Sequence, residues 1–186
     1  CFPLNSWIFH QRSQKPRKTG VTMIMDKGQG LHAFEDLLSL TSASIDFIKM
    51  GFGTLALTPE HIAKQKLTLS KQRDVHLYPG GTFFEVAYME KKLDKYFNWL
   101  KQLGFEWIEI SNGIVDYHPD DRVSLIKEAL NRGFQVITEI GKKEAGSVTS
   151  TSAFIQQFQA DIDAGASYVI LEGRETGENI GIYDQD

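Results

Sequence analysis

Four carboxylates, Asp26, Glu109, Glu139 and Glu172, each stand at the end of a short apolar run, and Glu85 lies just past another. Carboxylates that converge from different strands are the usual site for a hard cation: magnesium takes one or two of them, plus waters and substrate oxygens. Lys27, Lys49, Lys142, Lys143 and Arg174 occupy the same kind of position. Acids and cations together make a mixed cluster, suited to a multiply anionic substrate held with a divalent metal. Lysine is also the side chain whose pKa falls readily when it is desolvated or crowded by other cations, which permits acid/base work near neutrality. Two glycine loops, Pro79-Gly80-Gly81-Thr82 and Gly51-Phe52-Gly53-Thr54, would let backbone N–H groups approach an anion. Each feature has a plainer reading: an acid paired with a neighbouring cation, a solvated Lys142-Lys143 loop, a tight strand-to-helix turn.

The elements that must position these groups repeat. Six apolar runs, around Val21–Met25, Ile45–Met50, Val75–Tyr78, Trp107–Ile110, Val136–Ile140 and Tyr168–Leu171, read as strands. They are apolar almost throughout, as expected of strands covered on both faces. Helices lie between them. Thr58-Pro59 reads as an N-cap and first helical proline, opening a helix through about Gln72. Leu93, Phe97, Leu100 and Leu103 form one stripe ending at Gly104; Pro119 opens a helix with Val123, Ile126 and Leu130 inward; Phe154, Phe158 and Ile162 do the same before Gly165. The alternation predicts an α/β fold with a parallel sheet, whose carboxyl-end face would gather the polar strand ends. A G-x-G-x-x-G fingerprint is missing from the first βα turn, and the polar ends are spread over all six units, so a (β/α)8 TIM-type barrel is favoured over an open doubly wound sheet. Such a barrel needs eight units; about six are visible here, which reads as C-terminal units missing. The domain reading is an N-terminal arm over 1–19 and a C-terminally incomplete barrel domain over 20–186.

Composition narrows the function classes. A net charge of −4 argues against a broad nucleic-acid footprint. A single cysteine, Cys1, rules out an internal disulfide framework and fits a reducing cytoplasm. No apolar stretch approaches the length of a membrane span. The arm carries Arg12, Lys15, Arg17 and Lys18 without the apolar segment of a secretory signal. The five histidines lack metal-ligand spacing, and no serine or cysteine nucleophile has a nearby base.

Taken in order, the strand-end motifs resemble one family. They are Asp26-Lys27-Gly28, Asp46 through Thr54, Tyr78-Pro79-Gly80-Gly81-Thr82-Phe83-Phe84-Glu85, Glu109-Ile110-Ser111-Asn112-Gly113, Thr138-Glu139-Ile140-Gly141-Lys142-Lys143, and Asp163 through Glu175. From about Gly20 to Ile182 the chain resembles the phosphosulfolactate synthase family. That resemblance implies a carbon–sulfur lyase on a TIM barrel, adding sulfite to phosphoenolpyruvate with Mg2+ to give phosphosulfolactate, the step that opens coenzyme M biosynthesis in methanogens and leads to sulfolactate in bacteria. It implies catalytic roles for Lys143, Glu139 and Lys49, with Lys143 the acid. Substrate would be held by Lys27, Gly80, Gly81, Thr82, Lys142 and Arg174, and metal by Asp26, Glu109, Glu139 and Glu172. The expected partners are these small molecules and further copies of the chain, with no nucleic acid or membrane. The family also contains plant heat-stress-associated proteins, so a non-catalytic barrel protein is the alternative.

Overall fold

Apolar runs become short strands and periodic segments become helices in the computed structural model, which describes residues 13–141 and 151–172. The order is β1 (Met23–Asp26), α1 (Leu31–Thr41), β2 (Phe47–Met50), α2 (Thr54–Leu57), α3 (Glu60–Lys71), β3 (His76–Pro79), α4 (Gly81–Met89), α5 (Leu93–Leu103), β4 (Trp107–Ile110), α6 (Pro119–Asn131), β5 (Gln135–Ile140), α7 (Thr151–Ala164) and β6 (Tyr168–Leu171). The strands form two parallel three-stranded sheets, β1-β2-β3 and β4-β5-β6. β3 packs beside β4, with no ladder between them among the described residues. Five βα units and a sixth strand are thus present among the described residues, curled as in a barrel but not forming a closed eight-stranded one.

Curling is visible in the interior. The Phe47 ring on β2 meets Trp107 on β4 at 5.0 Å and Tyr168 on β6 at 5.4 Å between centroids. With Tyr78, Ile137, Met23 and Ile170 these rings fill the inner face. The opposite strand face, carrying Ile24, Ile48, Met50, Leu77, Ile108, Ile110 and Val136, packs under the helices in a larger core with Phe34, Phe84 and Phe97. Burying each such side chain contributes about 1.5–3 kcal/mol relative to exposure. Strands with both faces covered account for their unbroken apolar runs.

The helix ends follow local chemistry, with corrections. Gly104 closes α5 at φ 96°, and its N–H donates to the Leu100 carbonyl. That left-handed geometry costs glycine little. Pro119 opens α6 as expected, with the His118 side chain accepting from the Asp120 amide. Thr58 does not cap α3: its hydroxyl donates to the Thr54 carbonyl, finishing α2, and α3 starts at Glu60. In α6 the buried stripe is Arg122, Leu125, Ile126 and Ala129, shifted from the expected Val123, Ile126 and Leu130. In α7 the buried residues are Asp161 and Ala164, while Phe158 and Ile162 are exposed, and Phe158 lines an open apolar cleft with Phe154, Ile155 and Leu171. Both shifts have one cause, a charged residue that turns inward to meet a partner. No helix among the described residues is long and apolar enough to cross a membrane.

Basic residues of the arm are partly committed to the fold. Arg17 pairs with Asp46 at 2.8 Å and donates to the Ala43 carbonyl, and Lys15 donates to the Asp74 carbonyl at 2.6 Å.

Candidate active site

Side chains alternate across a strand, so the inward aromatics fix which strand-end residues share the interior. Phe47 faces inward on β2 and Trp107 on β4; two residues on, Lys49 and Glu109 do the same. Ile137 leads likewise to Glu139 on β5. These three meet. The Lys49 ammonium lies 2.8 Å from Glu109 Oε1 and 2.6 Å from Glu139 Oε2, and all three residues are buried. One cation thereby bridges two carboxylates drawn from the other sheet.

The electrostatics follow from that arrangement. Burial pushes Glu109 up to about 7, with Lys49 opposing and Glu139 adding to the rise. Burial works against the Lys49 charge, but the two carboxylates outweigh it and hold the ammonium above the ordinary lysine value. Lys49 therefore stays charged at neutral pH. On β3, Tyr78 stands opposite Lys49, and burial followed by the charges of Glu109 and Glu139 raises its phenol. The Tyr78 hydroxyl and Glu109 Oε2 are both buried without a close hydrogen bond, and the hydroxyl lies within weak hydrogen-bonding reach of the Glu109 carboxylate.

The Gly80-Gly81 pair shapes the floor of the cluster. Gly81 donates its N–H to Glu109 Oε1 at 2.8 Å, placing the start of α4 against this carboxylate. A Cβ on Gly81 would lie 2.2 Å from Ser111 Oγ, and one on Gly80 would lie 3.0 Å from the Lys49 side chain. The glycines are thus required by close approach, and the Gly81 amide is already committed to Glu109. Thr82 follows in the first turn of α4, half-buried. Lower on α4, the buried Glu85 carboxylate accepts from the Ser111 hydroxyl and from the amides of Gly113, Ile114 and Val115. It ties down the loop after β4.

Asp26 stands apart from the other acids. It follows the inward Met25 and so faces the helices. Lys66 on α3 reaches Asp26 Oδ2 at 2.6 Å, and the Gly28 and Gln29 amides donate to Oδ1. Both its oxygens are occupied, and it shapes the β1–α1 turn. Lys27 in that turn is exposed, its ammonium 4.9 Å from the Phe52 ring centre. Glu172 follows β6 beside Gly141, where β5 ends. Lys142, Lys143 and Arg174 lie outside the described residues. Among the described residues no group of three or more His, Cys, Asp or Glu side chains could hold a metal ion. Glu109 and Glu139 remain as a carboxylate pair, and a pair is enough for magnesium when substrate and water supply other oxygens.

Sequence reasoning missed Lys66, Arg122 and Asp161, all fully buried. The signal was available, since each interrupts an otherwise small or apolar helix stripe: Lys66 between Ala63 and Ser70, Arg122 before Leu125 and Ala129, Asp161 before Ala164. A charge on such a stripe asks for a buried partner.

Residues 10–186 match the sequence model of the family described as (2R)-phospho-3-sulfolactate synthase (ComA). The phosphosulfolactate synthase of Methanothermobacter thermautotrophicus is 44% identical over 176 residues, which cover 94% of this chain and 68% of that protein. The Methanocaldococcus jannaschii enzyme of the same name is 41% identical over 169 residues, covering 90% and 67%. The Bacillus subtilis one is 34% identical over 168 residues, covering 89% and 66%. The chain thus spans about two thirds of the length of these relatives. Among solved structures, 3-keto-L-gulonate-6-phosphate decarboxylase from Vibrio cholerae superposes with a TM-score of 0.55 at 16% identity, covering 88% of this chain and 67% of that one. The carboxyl transferase domain of Rhizobium etli pyruvate carboxylase gives 0.54 at 11%, covering 81% and 26%. At such identities the likeness is one of fold, a TIM-barrel type.

Proposed function

The chain belongs to the phosphosulfolactate synthase family, and we propose that it adds sulfite to phosphoenolpyruvate to give (2R)-2-O-phospho-3-sulfolactate. The observation that carries this reading is the Lys49–Glu109–Glu139 cluster, buried on the inner face at the carboxyl ends of β2, β4 and β5. A sheet of this kind binds its ligands at that end.

In the proposed reaction the sulfite lone pair forms a C–S bond to the terminal methylene of phosphoenolpyruvate. The C=C electrons move onto the carboxylate as an enediolate, and a proton is then delivered to the carbon bearing the phosphate. Lys49 is fixed in its charged form, so it serves as a stationary positive charge for the substrate carboxylate and is poorly suited to give up a proton. Proton delivery is assigned to Lys143. Lys27, Lys142 and Arg174 neutralise the phosphate and sulfite charges, and Thr82 adds a hydroxyl at the start of α4. Magnesium suits this site, because Glu109 retains a buried oxygen without a close hydrogen bond and carboxylate oxygens are its preferred donors. Glu109 and Glu139, with Glu172 at the neighbouring rim, would hold it, whereas Asp26 is spent on Lys66 and two amides. Bound there, the ion supplies Lewis-acid stabilisation of negative charge on the substrate carboxylate.

The test is direct. Purified protein with phosphoenolpyruvate, sulfite and magnesium is expected to form a product with the mass of the sulfite adduct; no such product refutes the assignment. EDTA should abolish turnover and added magnesium restore it, and undiminished activity in EDTA would remove the metal from the scheme.

A further inference from the structure

Arg122 on α6 and Asp161 on α7 form a two-point ion pair with almost no solvent contact. Arg122 Nε donates to Asp161 Oδ1 at 2.8 Å and Nη2 to Oδ2 at 2.7 Å, with side chains 2% and 0% exposed. A buried pair of this kind adds little net stability, since desolvation offsets the attraction, and well-packed apolar residues often do as well. Its geometry reaches beyond the two helices. Arg122 Nη2 also donates to the main-chain carbonyl of Glu139 at 3.2 Å. That carbonyl belongs to the residue whose side chain holds Lys49. Gln157, one turn before Asp161, donates to the same Oδ1 at 2.8 Å and steadies the carboxylate.

The chain path gives the contact its meaning. Residues 141–150, which include Lys142 and Lys143, join β5 to α7. Arg122 grips the end of β5 through the Glu139 carbonyl and grips α7 through Asp161, so one guanidinium spans both flanks of that connection. A point charge could not do this. The planar fork of arginine satisfies the carboxylate at two points and still offers a donor to the carbonyl, whereas a lysine in its place must choose between them.

We propose that Arg122 and Asp161 are positioning residues, a clamp that ties the end of β5 to α7 and sets where Glu139 stands relative to Lys49. The value of this placement for turnover rests on the sulfite-addition reading; the placement itself does not. Misplacing a reacting group by about 1 Å can cost about 100-fold in rate.

The experiment compares wild type with the double variant Arg122→Met/Asp161→Leu and with Arg122→Lys, measuring Tm, kcat, KM and amide hydrogen exchange along β5. The double variant is expected to keep its Tm while kcat falls by about 10–100-fold with KM little changed, and amides of residues 137–141 exchange at least about tenfold faster. Arg122→Lys is expected to lose kcat as well. A double variant with wild-type Tm, kcat and exchange would overturn the clamp. If the double variant fails to fold, Arg122→Lys decides: native Tm with reduced kcat supports the clamp, and native kcat overturns it. If wild type itself forms no adduct, the functional reading falls, and exchange alone judges the clamp: faster exchange confined to 137–141 supports it, and unchanged exchange overturns it.

Discussion

Stability should fall as pH rises from about 4.5 to about 7, because the folded chain holds a proton on Glu109 that the unfolded chain releases. Burial drives the effect, Lys49 opposes it and Glu139 adds to it; Tyr78 from β3 and the Gly81 amide from α4 complete the surroundings. Below pH 4.5 both states carry the proton and its contribution is complete. Between 4.5 and 7 only the folded state carries it, and above that both are ionised and the contribution is lost. One pKa unit corresponds to about 1.4 kcal/mol, so the interval amounts to about 3 kcal/mol. The assay is urea unfolding of wild type and Glu109→Gln in metal-free buffer, from about pH 4 to about pH 8. An amide does not ionise, so titrations away from this cluster are common to the two proteins and cancel in their difference. The variant is expected to gain on wild type by about 3 kcal/mol across the range. A difference that stays constant, or that moves the other way, refutes the reasoning.

Gly81→Ala would push a Cβ into Ser111 and displace the amide that holds Glu109; a loss of about 1–3 kcal/mol from overpacking alone is expected by urea unfolding, and an unchanged midpoint would mean that the β4 loop yields freely. Lys66→Met leaves Asp26 buried without its cation, which should cost about 3–5 kcal/mol in the same measurement; a loss well below that would show that the two turn amides suffice. Tyr78→Phe removes a buried hydroxyl with at most a weak hydrogen bond, to Glu109, so stability should change by less than about 1 kcal/mol; a larger loss by urea unfolding would show that the hydroxyl makes a full hydrogen bond. Lys143→Ala should lower kcat by about 10²–10⁴, and Lys143→Arg should not restore it because guanidinium does not deprotonate readily; near-normal turnover in either would pass the role to Lys142 or Lys27.

Periodicity alone located the six strands and the main helices, because apolar runs and helical stripes are local patterns that any covered parallel sheet must show. It also named Lys49, Glu109 and Glu139, since a charge closing an apolar strand is costly without a use. The resemblance carried by those strand ends named the family. Parity separates Asp26 from Glu109 and Glu139, and it could have been counted from the inward aromatics once those were known. Which aromatics face inward depends on the curl of the sheets, however, and that is a property of all the strands together. The same holds for the helices. Phe158 and Ile162 have an ideal spacing for a core stripe, yet the face of α7 that turns inward is the one bearing Asp161, because a guanidinium from α6 waits there. Local sequence can show that Lys66, Arg122 and Asp161 need partners. Pairings such as Lys66 with Asp26, forty residues apart, and Arg122 with Asp161, thirty-nine apart, arise only when the chain brings distant segments together. Types and spacing therefore determined the elements and the stock of reactive groups. Tertiary packing decided which charges neutralise one another as structure and which are left facing a ligand, because a buried charge takes its role from the partner within reach.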